Sequence, residues 1–442
     1  MRKPLSGLPG EASPEQRPRV PSEKETNKKP RRMRPRLSVI SLYTGVGGLD
    51  FGLEAAGFKT AVALEMDKTC CETLRVNRRW PVLEGDIHGF ASRDILATAK
   101  LKRGEAALLA GGPPCQPFSK SSYWVSGDAR RLKDPRSSTL GAYLRVLEDT
   151  LPRVFLLENV HGLAFDGKDE GLRFLLNGIK AINDRQGTNY AVEWKVLNTA
   201  EYGVPQIRER VFMIGDRLGR KFHFPIPTHS ETGGGDLFSR QEPYRTAWDA
   251  LGDLPEDPDE PSLEVGGAWG ALLPSIPEGK NYLWHTNRGG GLPLFGWRTR
   301  YWSFLLKLSK ALPSWTVQAQ PGTAIGPFHW ASRRLSKAEL CRIQTFPDGL
   351  SFNCGRTEVQ RMLGNAVPSL MAEILGRHIR AQLLDSPPRG PLKLLPPVRT
   401  PRPAEEPIVT APDQYRSLVG VHADHPGTGL GRRAAAKQVA SA

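Results

Sequence analysis

Cys115 sits in the run Gly111-Gly112-Pro113-Pro114-Cys115-Gln116-Pro117-Phe118-Ser119. Glycines and prolines hold such a loop to a defined path. The apolar Leu108-Leu109-Ala110 before it reads as a strand. A cysteine delivered at the carboxyl edge of an α/β sheet stands where such sheets bind ligands. Its chemistry would be nucleophilic. Only the thiolate attacks, and at an ordinary pKa of roughly 8.5 a few per cent is ionised at neutral pH, so positive neighbours would activate it. The sequence offers them. Gln206-x-Arg208-x-Arg210 leads into another apolar run, and alternation over two residues aims all three side chains to one side. An acid is available in Glu158-Asn159-Val160, at the end of Val154-Phe155-Leu156-Leu157. Taken singly, each of these side chains could belong to an ion pair. Together, a nucleophile, an acid and cations arrive from different strand ends, which is the equipment for covalent attack assisted by proton donation. Cys70, Cys71, Cys341 and Cys354 read instead as small buried hydrophobes. Five cysteines without a CxxC pair suggest neither a disulfide framework nor a zinc site.

A second constellation binds rather than reacts. Leu37–Leu42 reads as a buried strand that enters Tyr43-Thr44-Gly45-Val46-Gly47-Gly48 and then a helix with Leu49, Leu53 and Ala56. Glycines let backbone approach a ligand, and a helix N-terminus offers free N–H groups. The spacing Gly45-x-Gly47-Gly48 lacks the third glycine of the dinucleotide fingerprint. Two carboxylates sharpen the reading. Glu65 ends the strand Lys59–Leu64, where ribose hydroxyls are bound in such folds. Asp86, in Gly85-Asp86-Ile87, can accept from an adenine amine. The set describes an adenosine-shaped site, and its negative charge argues against a 2′-phosphate.

These residues need a scaffold, and the apolar runs supply one. Strands at 37–42, 59–64, 108–110, 154–157 and 211–215 alternate with helical stretches, which implies an open α/β sheet. Helical patterning returns at Ser336–Gln344 and Pro368–Leu384. Residues 225–330 are rich in Gly, Pro and Trp with weak periodicity, and read as an inserted irregular domain. Residues 1–36 are expected to be a disordered basic tail, 37–224 the catalytic and cofactor-binding part, 331–385 its return, and 386–442 a disordered Pro-rich tail.

The chain has 442 residues, 39% of them hydrophobic, enough for a real core. No apolar run is long enough to span a membrane, and the polar N-terminus is no secretory signal. The expected location is cytoplasmic. The formal charge is +15, of which residues 1–36 hold +7 (eleven Lys/Arg, four Glu) and residues 386–442 hold +4 (eight Lys/Arg, four Asp/Glu). A basic balance favours a polyanionic partner.

In order along the chain, these motifs resemble the DNA cytosine-5 methyltransferase family, from about Leu37 to Leu384 and more in the bacterial restriction–modification form than in the large eukaryotic one. Arg334-Leu335-Ser336, Arg342-Ile343-Gln344-Thr345-Phe346-Pro347 and Gly364-Asn365-Ala366-Val367-Pro368 extend the match. The resemblance implies a Rossmann-like class I methyltransferase sheet, mostly parallel with one antiparallel strand, and S-adenosylmethionine as cofactor. It implies that Cys115 adds to cytosine C6, that Glu158 protonates or hydrogen-bonds N3, that Asn159 braces the cysteine loop, and that Arg208 and Arg210 hold the loop or the base. Tyr43 matches an aromatic that stacks on adenine, Met66 lies beside Glu65 against the same ring, Asp86 and Ile87 match the adenine-contacting pair, and Asn365 and Val367 complete the pocket. The family flips its target base, and the stretch from Gln116 to Arg136, with Ser119, Ser121, Ser122, Arg130 and Arg131, resembles the loop that closes over it.

The resemblance places target recognition in 225–330. Trp284, His285, Asn287, Arg288, Trp297, Arg298 and Arg300 are its candidate DNA contacts, although most of its tryptophans are expected to pack its core. Gln206 joins Gln116, Ser119 and Arg136 as a DNA-binding candidate. Ser41 stands where the family often has an acid and Tyr43 where it often has phenylalanine, and Arg136-Ser137-Ser138-Thr139-Leu140 replaces a more usual Arg-Gly-x-Leu. The implied partner is duplex DNA, bound by a monomer, with a companion restriction endonuclease by analogy. A tRNA cytosine-5 methyltransferase would share Cys115 and Glu158 but usually has a shorter recognition region. An inactive binder would have lost one of those two residues. An amino-methyltransferase would lack the cysteine.

Overall fold

The computed structural model describes residues 37–114, 138–164, 169–234, 240–256, 259–260, 263–297 and 301–420. The apolar runs become strands of one seven-stranded sheet. They are β1 (Ser38–Leu42), β2 (Lys59–Glu65), β3 (Val82–Glu84), β4 (Leu108–Gly111), β5 (Val154–Val160), β6 (Ala191–Asn198) and, after a two-residue β7 (Gln206–Ile207), β8 (Glu209–Asp216). β1 and β4 are buried along their whole length, as parallel strands covered on both faces must be. The order is β3-β2-β1-β4-β5-β8-β6, and β8 alone runs against its neighbours. This is the expected sheet. Its consequence is local: the carboxyl ends of β1, β4 and β5 share an edge with the amino end of β8. The register sets Val160 opposite Arg210, so the acid at the end of β5 meets the arginine at the start of β8.

Helices cover both faces. α1 (Gly48–Ala55), α2 (Lys68–Asn77), α3 (Ser92–Ala99), α4 (Ser138–Thr150) and α5 (Glu170–Gln186) fall between the strands. On one face Ile40, Leu109 and Phe155 pack against Tyr143 and Leu147 of α4 and Leu175 and Ile179 of α5. α6 (Ala247–Leu251), α7 (Lys337–Ile343), α8 (Arg356–Asn365) and α9 (Ser369–Gln382) follow later in the chain. On the other face Val39, Leu108, Leu156 and Phe212 pack against Leu53 of α1 and Leu370, Met371 and Leu375 of α9. α1 and α9 touch closely through Gly52, where a Cβ would lie 2.1 Å from the Ser369 carbonyl oxygen. α7 opens with a capping box, Ser336 and Glu339 each binding the other's backbone N–H.

Residues 225–330 are as irregular as their composition. They hold β9 (His229–Ser230) paired with β10 (Glu242–Pro243), and β11 (Ser314–Trp315) paired with β7. An aromatic cluster of Trp269, Tyr282, Phe295 and Phe304 forms much of their core. Among the described residues no helix is long and apolar enough to cross a membrane.

The expected disorder from residue 386 is corrected for 386–420, which follow a defined path. Leu392, Leu394 and Leu395 pack on the sheet's second core. The buried Glu373 carboxylate accepts the N–H groups of Lys393 (2.8 Å) and Leu394 (3.0 Å). Arg399 pairs with Asp253 at 2.9 Å, and Glu406 shares Lys310 with Glu278, 2.7 Å each. Tyr415 stacks on Trp269. Proline lowers the entropy that ordering removes, and a few leucines with ion pairs then suffice to anchor the strap. Residues 1–36 and 421–442 lie outside the described residues.

Candidate active site

Glu158 is 8% exposed, and Arg210 Nε lies 3.0 Å from its Oε1. Burial pushes the Glu158 carboxyl pKa up, and Arg210 and then Arg208 pull it part of the way back. The carboxyl is thereby biased towards the protonated form without losing its orientation. Arg208, 1% exposed, donates from Nη2 to the Gly364 carbonyl at 2.8 Å. Its Nε and Nη1 are buried without a hydrogen-bond partner. Burial and the neighbouring Arg210 push its pKa well down. Buried orphan donors are rare and costly, and at a site they stand ready for an acceptor that arrives later.

The loop after β4 is fastened beside this pair. Asn159 Nδ2 donates to the Pro113 carbonyl (3.1 Å), and Asn159 Oδ1 accepts from Val160 N (2.9 Å). Thr139 Oγ1 donates to the Pro114 carbonyl at 3.1 Å. A Cβ on Gly112 would stand 2.9 Å from Glu158 Oε2, so only glycine lets the carboxyl lie against the loop. Cys115 is the next residue after Pro114 and lies outside the described residues, with Gln116, Ser119 and Arg136. Cys70, Cys71 and Cys341 are buried, and burial raises the Cys71 and Cys341 thiols to about 12, whereas Cys354, expected to be buried, is only half-buried.

The glycine turn forms a cradle. Gly45 (φ 56°) and Gly47 (φ 90°) adopt left-handed conformations that favour glycine, and Gly47 caps α1. Gly48 touches the segment after α8: a Cβ there would be 2.3 Å from the Val367 carbonyl oxygen. The structure thus brings Val367 and, at the exposed end of α8, Asn365 beside a turn more than 300 residues earlier. Glu65 accepts N–H groups from Gly45 (2.7 Å), Met66 (2.9 Å) and Asp67 (2.8 Å). A carboxylate has about four acceptor sites, which leaves one for a ribose hydroxyl. Met66 is 66% exposed, an apolar side chain without cover beside that carboxylate. Asp86 is exposed and caps the short turn at Ile87–Gly89, and Ile87 is buried behind it. The set fits an adenosyl cofactor.

Tyr43 does more than offer a ring. Its hydroxyl donates to the Thr139 carbonyl (2.8 Å), so a residue of the glycine turn is linked through Thr139 to Pro114 and the cysteine loop. The two departures at 43 and 136–140 are joined by this bond, which the sequence reading missed. Ser41 donates to Asp50 of α1 (2.9 Å), also bound by Thr60 (3.0 Å), so the turn gets a carboxyl from behind. Asp50 is fully buried, and its pKa rises to about 6.

Gln206 is corrected. It is 0% exposed, donates to Gln344 Oε1 (3.1 Å) and accepts from Val317 N (3.1 Å). Its amide joins β7, β11 and the end of α7 and has no surface for DNA. His285, 1% exposed, is likewise structural, hydrogen-bonded to Ser275 at 2.9 Å. Trp284 packs against the aromatic core. Asn287 and Arg288 are exposed, and the Arg288 guanidinium lies 5.0 Å over the Trp297 ring. Arg298 and Arg300 lie outside the described residues.

A glycine-turn sheet with a buried acid–arginine pair beside a cysteine loop is the ground plan of S-adenosylmethionine-dependent methyltransferases that act on cytosine C5. The fold is shared with the Dnmt2 methyltransferase of S. pombe at a TM-score of 0.53 and 19% identity, over 79% of this chain and 98% of that one. Residues 37–381 match the C-5 cytosine-specific DNA methylase family, and the chain belongs to it. It is similar to the type II methyltransferase M.SacI of Streptomyces achromogenes, 40% identical over 381 residues (80% of this chain, 96% of that protein). It is also similar to M.AquIA of a Picosynechococcus strain, 44% identical over 224 residues (49% of this chain, 88% of that protein).

Proposed function

We propose that the protein methylates cytosine at C5 within one short duplex sequence, with the base turned out of the helix and held covalently by Cys115. The observation that supports this most is the Glu158–Arg210 pair set against the loop that leads into Cys115. Cytosine C5 is a poor nucleophile on its own. The Cys115 thiolate gives its electron pair to C6, and the ring's C5–C6 electrons shift so that C5 becomes enamine-like. Glu158, biased towards its protonated form, places a proton on N3 to accept that density. Arg210 holds the carboxyl and meets the base carbonyl, and the free Nε and Nη1 of Arg208 are donors for the base or the loop. The turn from Tyr43 to Gly48, with Glu65, Met66, Asp86, Ile87, Asn365 and Val367, would hold S-adenosylmethionine, which would supply an electrophilic methyl group for C5. A base such as water then takes the C5 proton, the C5–H electron pair re-forms the C5–C6 double bond, the C6–S bond breaks so that Cys115 leaves as thiolate, and N3 returns its proton to Glu158. Extruding the base costs a few kcal/mol, offset by pocket contacts.

The kinship with type II methyltransferases supports a modification role, protecting DNA from a companion endonuclease. The test is expression of the protein and its Cys115→Ala variant in a host lacking cytosine methylation, followed by bisulfite sequencing. Protected cytosines in one motif, only with Cys115 intact, are expected. Unprotected DNA with C5-methylated tRNA would replace this reading with an RNA substrate.

A further inference from the structure

The strap at 386–420 lies beyond the stretch that matches the family, which ends at residue 381. It nevertheless supplies side chains to two separate apolar cores. Leu392, Leu394 and Leu395 join the core between the sheet and α9, and Ala411 and Tyr415 join the aromatic core of the irregular segment. Between these ends Arg399 binds α6. Its backbone N–H donates to the Asp249 carboxylate (2.8 Å), its Nε donates to the Asp249 carbonyl (2.9 Å), and its guanidinium pairs with Asp253.

Each end of the strap seats on a buried charge. Glu373 of α9 is fully buried, and among the described residues its only partner besides the N–H groups of Lys393 and Leu394 is Arg377, at 3.4 Å. Lys310 is the buried charge of the irregular segment. An ammonium has three donors. One goes to Glu278 of the same segment (2.7 Å), and the other two go to the strap, to Glu406 (2.7 Å) and the Ala404 carbonyl (2.9 Å). The Glu406 N–H returns to Glu278 at 2.9 Å. A buried charge that lacks partners is costly, so both groups are satisfied in full only with the strap in place. The stretch between these anchors, Thr400 to Glu405, is exposed and contains Pro401 and Pro403. Proline stiffens a linker. The seven steps from Arg399 to Glu406 reach at most about 25 Å. A short, stiff tie therefore joins the two parts.

We propose that the strap is a positioning element, which holds the irregular segment in one orientation against the sheet so that DNA meets both in register. This rests on the DNA methyltransferase reading. An untied segment samples many orientations, and apparent affinity for DNA falls with the fraction that is competent to bind. The chemical step, once DNA is seated, is unchanged. Couplings between two sites commonly amount to roughly 5- to 150-fold.

The experiment uses the full chain with the recognition site of a sequence-specific protease inserted after Arg402, in the exposed stretch between the anchors. Wild-type, uncut and cut proteins are compared in methyl transfer to unmethylated genomic DNA from a host lacking cytosine methylation. Cutting should raise KM for DNA by roughly 5- to 150-fold. The kcat at saturating DNA and the Kd for S-adenosylmethionine should stay within about twofold. Glu406→Ala tests one anchor without a cut and should also raise KM for DNA. Glu406→Gln, whose amide oxygen can still accept from Lys310, should recover most of that loss. If the insertion itself impairs the uncut protein, the two Glu406 variants decide. A strap that served stability alone would lower the melting temperature and leave KM where it was. An active enzyme whose KM for DNA is indifferent to the loss of the tie overturns this inference alone, as does a kcat that falls by as much as KM rises. A soluble wild-type protein inactive on DNA overturns the DNA reading and this inference with it.

Discussion

Asn159→Asp isolates one hydrogen bond at the centre of the site. The change keeps the side chain's shape and the acceptor for Val160 N, but it removes the donor to the Pro113 carbonyl. It sets an oxygen where Nδ2 stood, 3.1 Å from that carbonyl, in a place only 2% exposed. A buried carbonyl left unpaired costs about 1–3 kcal/mol. If the loop yields to relieve it, Cys115 moves off line and kcat falls by roughly 5- to 150-fold. Among the described residues the hydrogen bonds of the Asn159 side chain go to Pro113 and Val160 and none to the glycine turn, so the Kd for S-adenosylmethionine should stay within twofold. The defect should also shrink in acid. Burial raises the pKa of the introduced carboxyl, and once protonated its O–H can donate to Pro113 again. The assay is methyl transfer to duplex DNA at saturating substrates, variant over wild type, across about pH 5.5 to 8. A variant within twofold of wild type at the alkaline end would refute the idea that this bond sets the cysteine. A deficit that does not shrink on acidification would refute the donor argument.

Glu158→Gln keeps a hydrogen-bonding side chain but cannot give up a proton, so kcat should fall by about 10²- to 10⁴-fold. Burial raises the Glu158 pKa, so if the protonated form acts as proposed, wild-type activity should decline as pH rises through that value, and a pH–rate profile of the variant should lack that limb. Tyr43→Phe retains the ring but loses the hydrogen bond to Thr139, and steady-state kinetics should show kcat lowered about 2- to 12-fold with cofactor affinity unchanged. Asp50 has a folded-state pKa of about 6 against an ordinary 3.8. Its contribution to stability is complete below about pH 4 and lost as pH rises through 6, a difference of about 3 kcal/mol. Between urea unfolding curves at about pH 4.5 and 7, which span about 2 kcal/mol of that difference, Asp50→Asn should abolish it, and an unaltered difference would assign it elsewhere.

Much of the candidate site's geometry is legible in the sequence because it depends on strand ends. Apolar runs located β1, β2, β4, β5 and β8, and acid and arginines at the tips of two of them had to approach once those strands paired. β6 was missed. Its Ala191-Val-Glu-Trp-Lys-Val-Leu-Asn sits at the sheet edge with one residue buried, so no strong apolar signal was required of it. α8 was missed for a related reason, being polar along most of its length. Gln206 shows the limit of motif reading: alternation gave its direction correctly, but not that α7 and β11 would close over it. The strap at 386–420 was misread because proline-rich composition indicates weak periodicity and says nothing of partners supplied by distant parts of the chain, such as Glu373 and Lys310.

The seat of α9 on α1 also fixes when the protein can finish folding. The face of β1 and α1 that carries Val39, Leu49 and Leu53 is covered by Leu370, Met371 and Leu375, which are made more than 300 residues later. At roughly 5–20 residues per second, synthesis leaves that apolar surface without its native cover for about 15–65 s. The glycine turn waits equally long for Val367. Growing chains therefore pass through a long stage with a nearly complete sheet and one bare side. Chaperone supply and translation rate, more than the final stability, should govern how much active protein a cell obtains.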